Sequence, residues 1–322
     1  HKEEAIVGPK EVIPYLGAGR HAGREGNLAY HNSLMVQFWS ALATRSTRLM
    51  THVMASHFPQ KFANATWGTY LRCHDDIGWA ITDEDAWAVG LSGFAHRSYL
   101  ADFYEGVFPG SFARGGLFQS NPATGDKRSN GSTASLCGLE KALAEGDEAA
   151  RRRAVQRIFM GHALIASFGG IPLLYMGDEL GLTNDLSYLN HPDKAHDSRW
   201  MHRPAMDWSK AANRHDHSTV EGEIYAGVRE IIARRKATPH LHADNPTEVV
   251  DAGVDGVFAF LRKAPIGNLL CLFNFTDSWV GVPRYFAMAH GIRTFHDHLS
   301  ARDVLTPNDT IALPPSARVW LG

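Results

Sequence analysis

Apolar residues along the chain fall into two kinds of run. Short β-branched and aromatic stretches, Ala5–Val7, Leu28–Tyr30, Thr66–Leu71 and Ile171–Met176, read as strands that end in polar loops. Helical spacing lies between them. Leu34, Phe38, Leu42 and Leu49 predict a helix from Leu34 to about Ala55, with Asn32 or Ser33 as its cap. Further helices are predicted from Ser132 to about Ala144, from Asp147 to Ser167 with Gly169-Gly170 as the stop, and from Val220 to Lys236. Residues 77–131 are rich in glycine and aromatics and keep weak periodicity, which points to a functional loop or a small subdomain. Beyond Thr238-Pro239 the pattern becomes all-β: Val249-Val250, Val257–Leu261, Leu269–Phe275, Ile292–His296, Thr310–Leu313 and Arg318–Leu321.

Four strand-to-helix units followed by a β-segment predict an α/β chain with a parallel sheet. A (β/α)₈ TIM barrel takes about 250 residues and keeps its chemistry in the loops after its strands. Here polar clusters do follow the strands, yet only four strands can be counted, which is half a barrel. The expected division is a partial (β/α)₈ catalytic domain over 1–243, a subdomain over 77–131 inserted after the third visible strand, and a C-terminal β-sandwich-like domain over 244–322.

Composition narrows the classes. Hydrophobic residues make up 44% of the 322, enough for a packed core and too many for a disordered chain. The net charge of −2 comes without a polybasic tract and excludes nucleic acid or an anionic membrane as the main partner. No apolar run approaches the ~18 residues of a membrane span. Cys73, Cys137 and Cys271 are odd in number and show no C-x-x-C spacing, so neither a disulfide framework nor a zinc ribbon is expected. The thiols fit the cytosol while leaving export open. The first residues, His1-Lys2-Glu3-Glu4, carry neither initiator Met nor signal peptide, so a chain cut inside a domain is expected.

Candidate chemistry sits in two acid clusters at strand ends, Glu3-Glu4 and His74-Asp75-Asp76. Carboxyl groups on separate strands facing one cavity are what glycoside hydrolysis uses, one protonating the leaving oxygen and another attacking or stabilising an oxocarbenium-like centre. Neighbours on a strand point to opposite faces, so only one of Glu3 and Glu4 is expected to face inward. The eighteen histidines show no H-E-x-x-H pattern, and His191, His196, His215, His217, His296 and His298 read as solvated loop residues. Gly17, Gly19 and Gly23 lack the Lys-Ser/Thr sequel of a phosphate loop.

The stretches Glu4–Val7, Arg72–Trp79, Gly110–Gly115, Asn121–Asp126, Ile171–Glu179 and Asp197–Pro204 resemble, in order, the α-amylase superfamily and within it the amylosucrases. The resemblance implies barrel strands 5 to 8. It implies Glu4 as general acid/base, Asp75 as the carboxylate that stabilises the transition state, and His74 as a partner of sugar hydroxyls. It places Asp76 and Arg199 at the bottom of the glucosyl pocket, Arg97 and Arg128 on the acceptor side, and Glu25 as a further substrate contact. It gives Asp178-Glu179 a bracing role. The family's nucleophilic aspartate ends the fourth strand with an arginine two residues before it, and no strand end here carries that pattern.

The function so implied is a retaining, sucrose-active glucosyltransferase that moves glucose to an α-glucan and releases fructose, with residues 1–322 inactive on their own. Sucrose hydrolase, or another α-glucosidase of the superfamily, is the close alternative. A non-catalytic carbohydrate-binding protein is the alternative of another class. No metal or organic cofactor is implied, and the expected partners are sucrose and α-glucan oligosaccharides, with the oligomeric state open.

Overall fold

The computed structural model describes residues 1–5, 7–58, 61–121, 123 and 125–322. Ile6 of the first expected strand, and Pro122 and Thr124 of one matching stretch, lie outside the described residues. The chain opens with β1 (Lys2–Glu3), the single turn α1 (Pro9–Val12) and β2 (Leu28–Tyr30), then α2 (Asn32–Thr44), α3 (Arg48–His57) and β3 (Thr66–Tyr70). Next come α4 (Asp83–Ala88), α5 (Gly93–Glu105) and the hairpin β4 (Gly116–Asn121) with β5 (Asp126–Asn130). After α6 (Thr133–Leu136) and α7 (Leu139–Glu145), the long α8 (Glu148–Ser167) precedes β6 (Ile171–Leu173). Helices α9 (Trp208–Ala212) and α10 (Val220–Ala237) follow. The last third holds β7 (Thr247–Val250), β8 (Val257–Ala264), β9 (Gly267–Asn274), β10 (Val280–Pro283), α11 (Arg284–Ala289), β11 (His296–Asp297), β12 (Arg302–Asp303), β13 (Thr310–Leu313) and β14 (Arg318–Leu321).

Two compact units emerge from these elements. The first contains residues 1–70, 160–173 and 231–322. Its parallel sheet runs in the order β1-β2-β3-β6, with Lys2 opposite Leu28, Leu28 opposite Thr66, and Gly68 opposite Ile171. Pro172 sits on the outer strand β6, where a residue without N–H is tolerated. The first strand forms at Lys2–Glu3, and the described residues of the expected run, Ala5 and Val7, lie in no strand. Helix α2 is apolar on nearly every side and correspondingly buried from Asn32 to Ala43. The single helix expected to Ala55 breaks at Arg45, whose φ of 58° is left-handed, and resumes as α3.

The unit's antiparallel sheet has the order β12-β11-β14-β9-β8-β7, and β10 pairs with β13 beside it. Leu270, Leu272, Ile311, Leu313 and Leu321 belong to its core and are fully buried. Phe168 joins the α/β part to this sheet, with its ring 5.2 Å from that of Phe260 and 6.2 Å from that of Phe258. Of the run expected at Ile292–His296 only His296 lies in a strand, β11.

The second unit contains residues 71–159 and 174–230. The aromatic-rich segment has regular structure: Thr82 caps α4, Ser92 caps α5, and Trp79 stacks on Tyr104 at 5.6 Å. Its hairpin shifts register between Phe118 and Asn121. The helix expected from Ser132 is split at Gly138, whose φ is 97°.

Gly170 shows how tightly the parallel sheet is entered. It has φ of 83°, and a Cβ there would lie 2.1 Å from the Trp67 carbonyl oxygen, a backbone atom that cannot rotate away. Gly170→Ala is expected to lower stability by about 2–4 kcal/mol, read from the urea midpoint at unchanged slope.

Candidate active site

His74, Asp75 and Asp76 follow β3 in the second unit, in a turn held from beneath by Arg72. The Arg72 side chain is buried; its Nε donates to the Gly131 carbonyl at 2.9 Å and its Nη2 to the Asp75 carbonyl at 2.6 Å. Nη2 also lies 3.3 Å from His202 Nε2. A guanidinium only donates, so His202 accepts there and is neutral. Burial, reinforced by the Arg72 and Arg203 charges, pushes the His202 imidazole down to about 2. Arg203 Nε in turn donates to the His74 carbonyl.

The two aspartates are driven apart electrostatically. Asp75 Oδ1 accepts from the Asp76 backbone N–H at 2.9 Å and from Arg199 Nη1 at 2.9 Å. Burial alone would raise the Asp75 carboxyl, but the Arg199 and Asp76 hydrogen bonds outweigh it and hold the group at about 2. Asp76 has a side chain only 2% exposed, and its Oδ2 makes no hydrogen bond, the Arg128 Nη1 atom standing 3.6 Å away. Burial, and then the neighbouring Asp75, push Asp76 up to about 6. Near pH 5 the pair therefore holds one ionised and one protonated carboxyl group.

Arg199 is fixed before any ligand arrives. Asp197 grips it in a fork, Nε to Oδ1 and Nη2 to Oδ2, both at 2.9 Å, and its guanidinium lies over the Phe118 ring at 4.5 Å. Asp197, Arg72, His202 and Phe118 were not assigned from the sequence. Asp197 and Arg72 lie inside matched stretches, Arg199 and Asp75 being their neighbours there, so a search for counter-ions of the assigned residues would have found them.

The other residues expected from the sequence are Arg97, Arg128, Glu4 and Glu25. Arg97 on α5 donates to the Ile81 carbonyl at 2.7 Å and to Asp83 at 3.0 Å, which ties it to the start of α4; Arg128 on β5 faces Asp76. Glu4 and Glu25 belong to the first unit. Glu4 directly follows β1 and is exposed, and Glu25 pairs with His21 at 3.3 Å on the surface. Asp178 is buried in the second unit and accepts from Thr133 Oγ1 at 3.0 Å; burial pushes its carboxyl up to about 7.

No family model matches the chain. Glucosylglycerate phosphorylase of Escherichia coli is 25% identical over 99% of this chain and 52% of that protein. Trehalose synthase/amylase TreS of Mycolicibacterium smegmatis is 26% identical over 69% of this chain and 30% of that protein. Among solved structures, sucrose 6F-phosphate phosphorylase from Thermoanaerobacter thermosaccharolyticum superposes with a TM-score of 0.57 at 15% identity, over 85% of this chain and 47% of that one. An α-amylase from H. orenii gives 0.53 at 12% identity over 99% and 52%. The chain thus spans about half the length, or less, of the curated relatives it matches. Relatives and solved structures agree on an α-amylase-like fold for this chain. These relatives are sugar-converting enzymes, and neither of the two is an amylosucrase.

Two outcomes follow from the charge arrangement. Arg199→Gln removes the cation and a donor from Asp75, so its carboxyl is expected to titrate higher, read from side-chain ¹³C shifts; an unmoved titration would contradict the geometry. Asp178 has a folded pKa near 7, above its unfolded value, so its proton is retained in the fold after it is lost from the unfolded chain. Its contribution to stability therefore falls as pH rises from about 4 to about 7 and is level above that. Asp178→Asn should remove this decline, stabilising the protein relative to wild type at pH 7.5 but not at pH 4, by on the order of a few kcal/mol.

Proposed function

We propose that these residues supply the acid/base and the transition-state-stabilising carboxylate of a retaining α-glucosyl-transferring site whose donor is sucrose. The observation that carries this reading is the Asp75–Asp76 pair, with Asp75 kept ionised by an arginine that is itself clamped by Asp197. An ionised carboxylate beside a pre-set guanidinium suits an oxocarbenium-like centre, because the charge is in place before the reaction needs it. In this reading Glu4 protonates the fructosyl oxygen as the glycosidic bond breaks, then takes the proton of the incoming acceptor. His74, Asp76 and Arg199 hold hydroxyls of the terminal glucosyl unit, and Arg128, Arg97 and Glu25 serve the acceptor side. The parallel sheet of the first unit stands for strands 5 to 8 of a (β/α)₈ barrel, with 77–131 as its inserted subdomain, 1–243 as the catalytic portion and 244–322 as the β-domain.

Retention needs a nucleophile, and the proposal takes it from a strand outside these 322 residues. Transfer to an α-glucan is the preferred outcome. Phosphorolysis is a second reading, because two similar proteins carry phosphorylase in their names. Hydrolysis by water and sugar binding without turnover are the further outcomes of one assay.

Residues 1–322 incubated with sucrose and glucan are expected to release no fructose at an ordinary enzymatic rate. In a longer chain that carries the nucleophile, Glu4→Gln should lower fructose release at least about a hundredfold with little change in sucrose KM. Polymer, glucose 1-phosphate or free glucose as co-product tells the three acceptors apart. Full turnover by Glu4→Gln would remove Glu4 from the mechanism, and binding without turnover in the longer chain would favour a non-catalytic role.

A further inference from the structure

The first unit has a cavity of about 60 Å³ at the amino ends of β3 and β6, whereas the candidate catalytic residues follow carboxyl ends of strands. Its lining includes Phe58, Lys61, Trp67, Gly170, Thr247 and Arg262. Arg262 is 1% exposed, yet no carboxylate among the described residues pairs with it. Its guanidinium donates to the carbonyls of Phe168 at 2.9 Å and His242 at 2.7 Å and to the Thr247 hydroxyl, while Nε has no partner. A buried cation satisfied only by neutral oxygens keeps an uncompensated charge, which is costly in a low-dielectric interior.

The surroundings add to that charge. Arg235 donates to the carbonyls of Gly170 at 2.8 Å and Leu241 at 2.7 Å and has no acidic partner among the described residues; Lys61 is exposed at the rim. Among the described residues the only acid in the lining is Asp244, exposed and 3.8 Å from His242. Behind the aromatic wall lies His31, 1% exposed, with its ring 4.5 Å from Trp67 and 4.6 Å from Phe58. Its Nδ1 accepts the Leu34 N–H and caps α2, so the neutral ring carries its proton on Nε2, which has no acceptor. The space holds on the order of five waters, the size of a small oxyanion and too little for a disaccharide.

We propose that this cavity binds a phosphate-sized dianion, with Arg262 as the buried electrostatic anchor, Arg235 beside it and Lys61 at the rim. Three cations, the unpartnered Nε of Arg262 and one outlying acid favour a dianion over chloride or a monocarboxylate. The proposal stands on the first unit alone and is independent of the sugar chemistry.

Calorimetric titration of the full chain at constant ionic strength tests it, with inorganic phosphate, glucose 1-phosphate, sulfate and chloride as probes. Phosphate is expected to bind saturably at one site and chloride not at all. Competition by glucose 1-phosphate at equal affinity would mean the phosphoryl group of a larger molecule also enters. Lys61→Glu, a surface change that leaves the fold intact, should weaken phosphate binding tenfold or more, and Asp244→Asn should tighten it. Selenate soaked into crystals should give an anomalous peak in this cavity. Absence of saturable binding, equal binding by Lys61→Glu, or a selenate peak elsewhere only would each overturn the proposal. Arg262→Met is the direct test where it folds, and Lys61→Glu carries the decision where it does not.

Discussion

Two neighbouring carboxyl groups at a partly buried strand end cannot both ionise unless each finds a cation of its own. At Asp75-Asp76 only the first does so at hydrogen-bond distance, and the rest of the candidate site follows from that inequality. Arg199 reaches Asp75 because Asp197 holds its other edge, and the Asp75 main chain is in turn fixed by Arg72. Each pKa unit between the two carboxyls corresponds to about 1.4 kcal/mol of differential interaction. Even one such unit exceeds the ~0–1 kcal/mol of an exposed pair such as Arg152–Glu148. Solvent cannot easily substitute for Arg199, so its geometry sets which aspartate carries charge.

The same logic separates the buried arginines. Arg72 has a task in the turn: it locks a carbonyl and keeps His202 neutral, and the carboxyls of Asp76 and Asp178 both feel its charge. Arg262 has only carbonyl and hydroxyl acceptors, and the interior around it gains nothing from its charge unless an anion is present. Guanidinium groups alike in burial thus point to different roles once their acceptors are compared.

Much of this was legible from residue patterns. The strand Thr66–Tyr70 and helices α8 and α10 were read nearly to their ends, because β-branched runs and long periodic stretches are local signals. The break at Arg45 was not, since Ala43-Thr44-Arg45-Ser46 has no glycine or proline. It is held from more than two hundred residues away, by Asp255 accepting from Ser46 Oγ at 2.8 Å and by Asp277 pairing with Arg45. Helices α4 and α5 were hidden because their aromatics keep no single face, Phe103 and Tyr104 being buried and Trp87 and Phe94 exposed, although Thr82 and Ser92 were visible caps. In the site, the acid cluster gave Asp75 and Asp76 and the resemblance gave Arg199, but neither told that Arg97 would turn to Asp83, fourteen residues before it.

The outer strands of the parallel sheet have a bearing on solubility. β1 is two residues long and both are charged, with Lys2 drawn across the Tyr30 ring; β6 is three residues long, and Pro172 leaves it two N–H donors. A strand edge recruits another chain when it is long, flat and rich in free donors. These edges are short, charged or interrupted, which makes them poor templates for intermolecular pairing. In the proposed barrel both strands pair with strands outside these residues, so shape and charge at Lys2, Glu3 and Pro172 would limit wrong pairing only until the barrel closes.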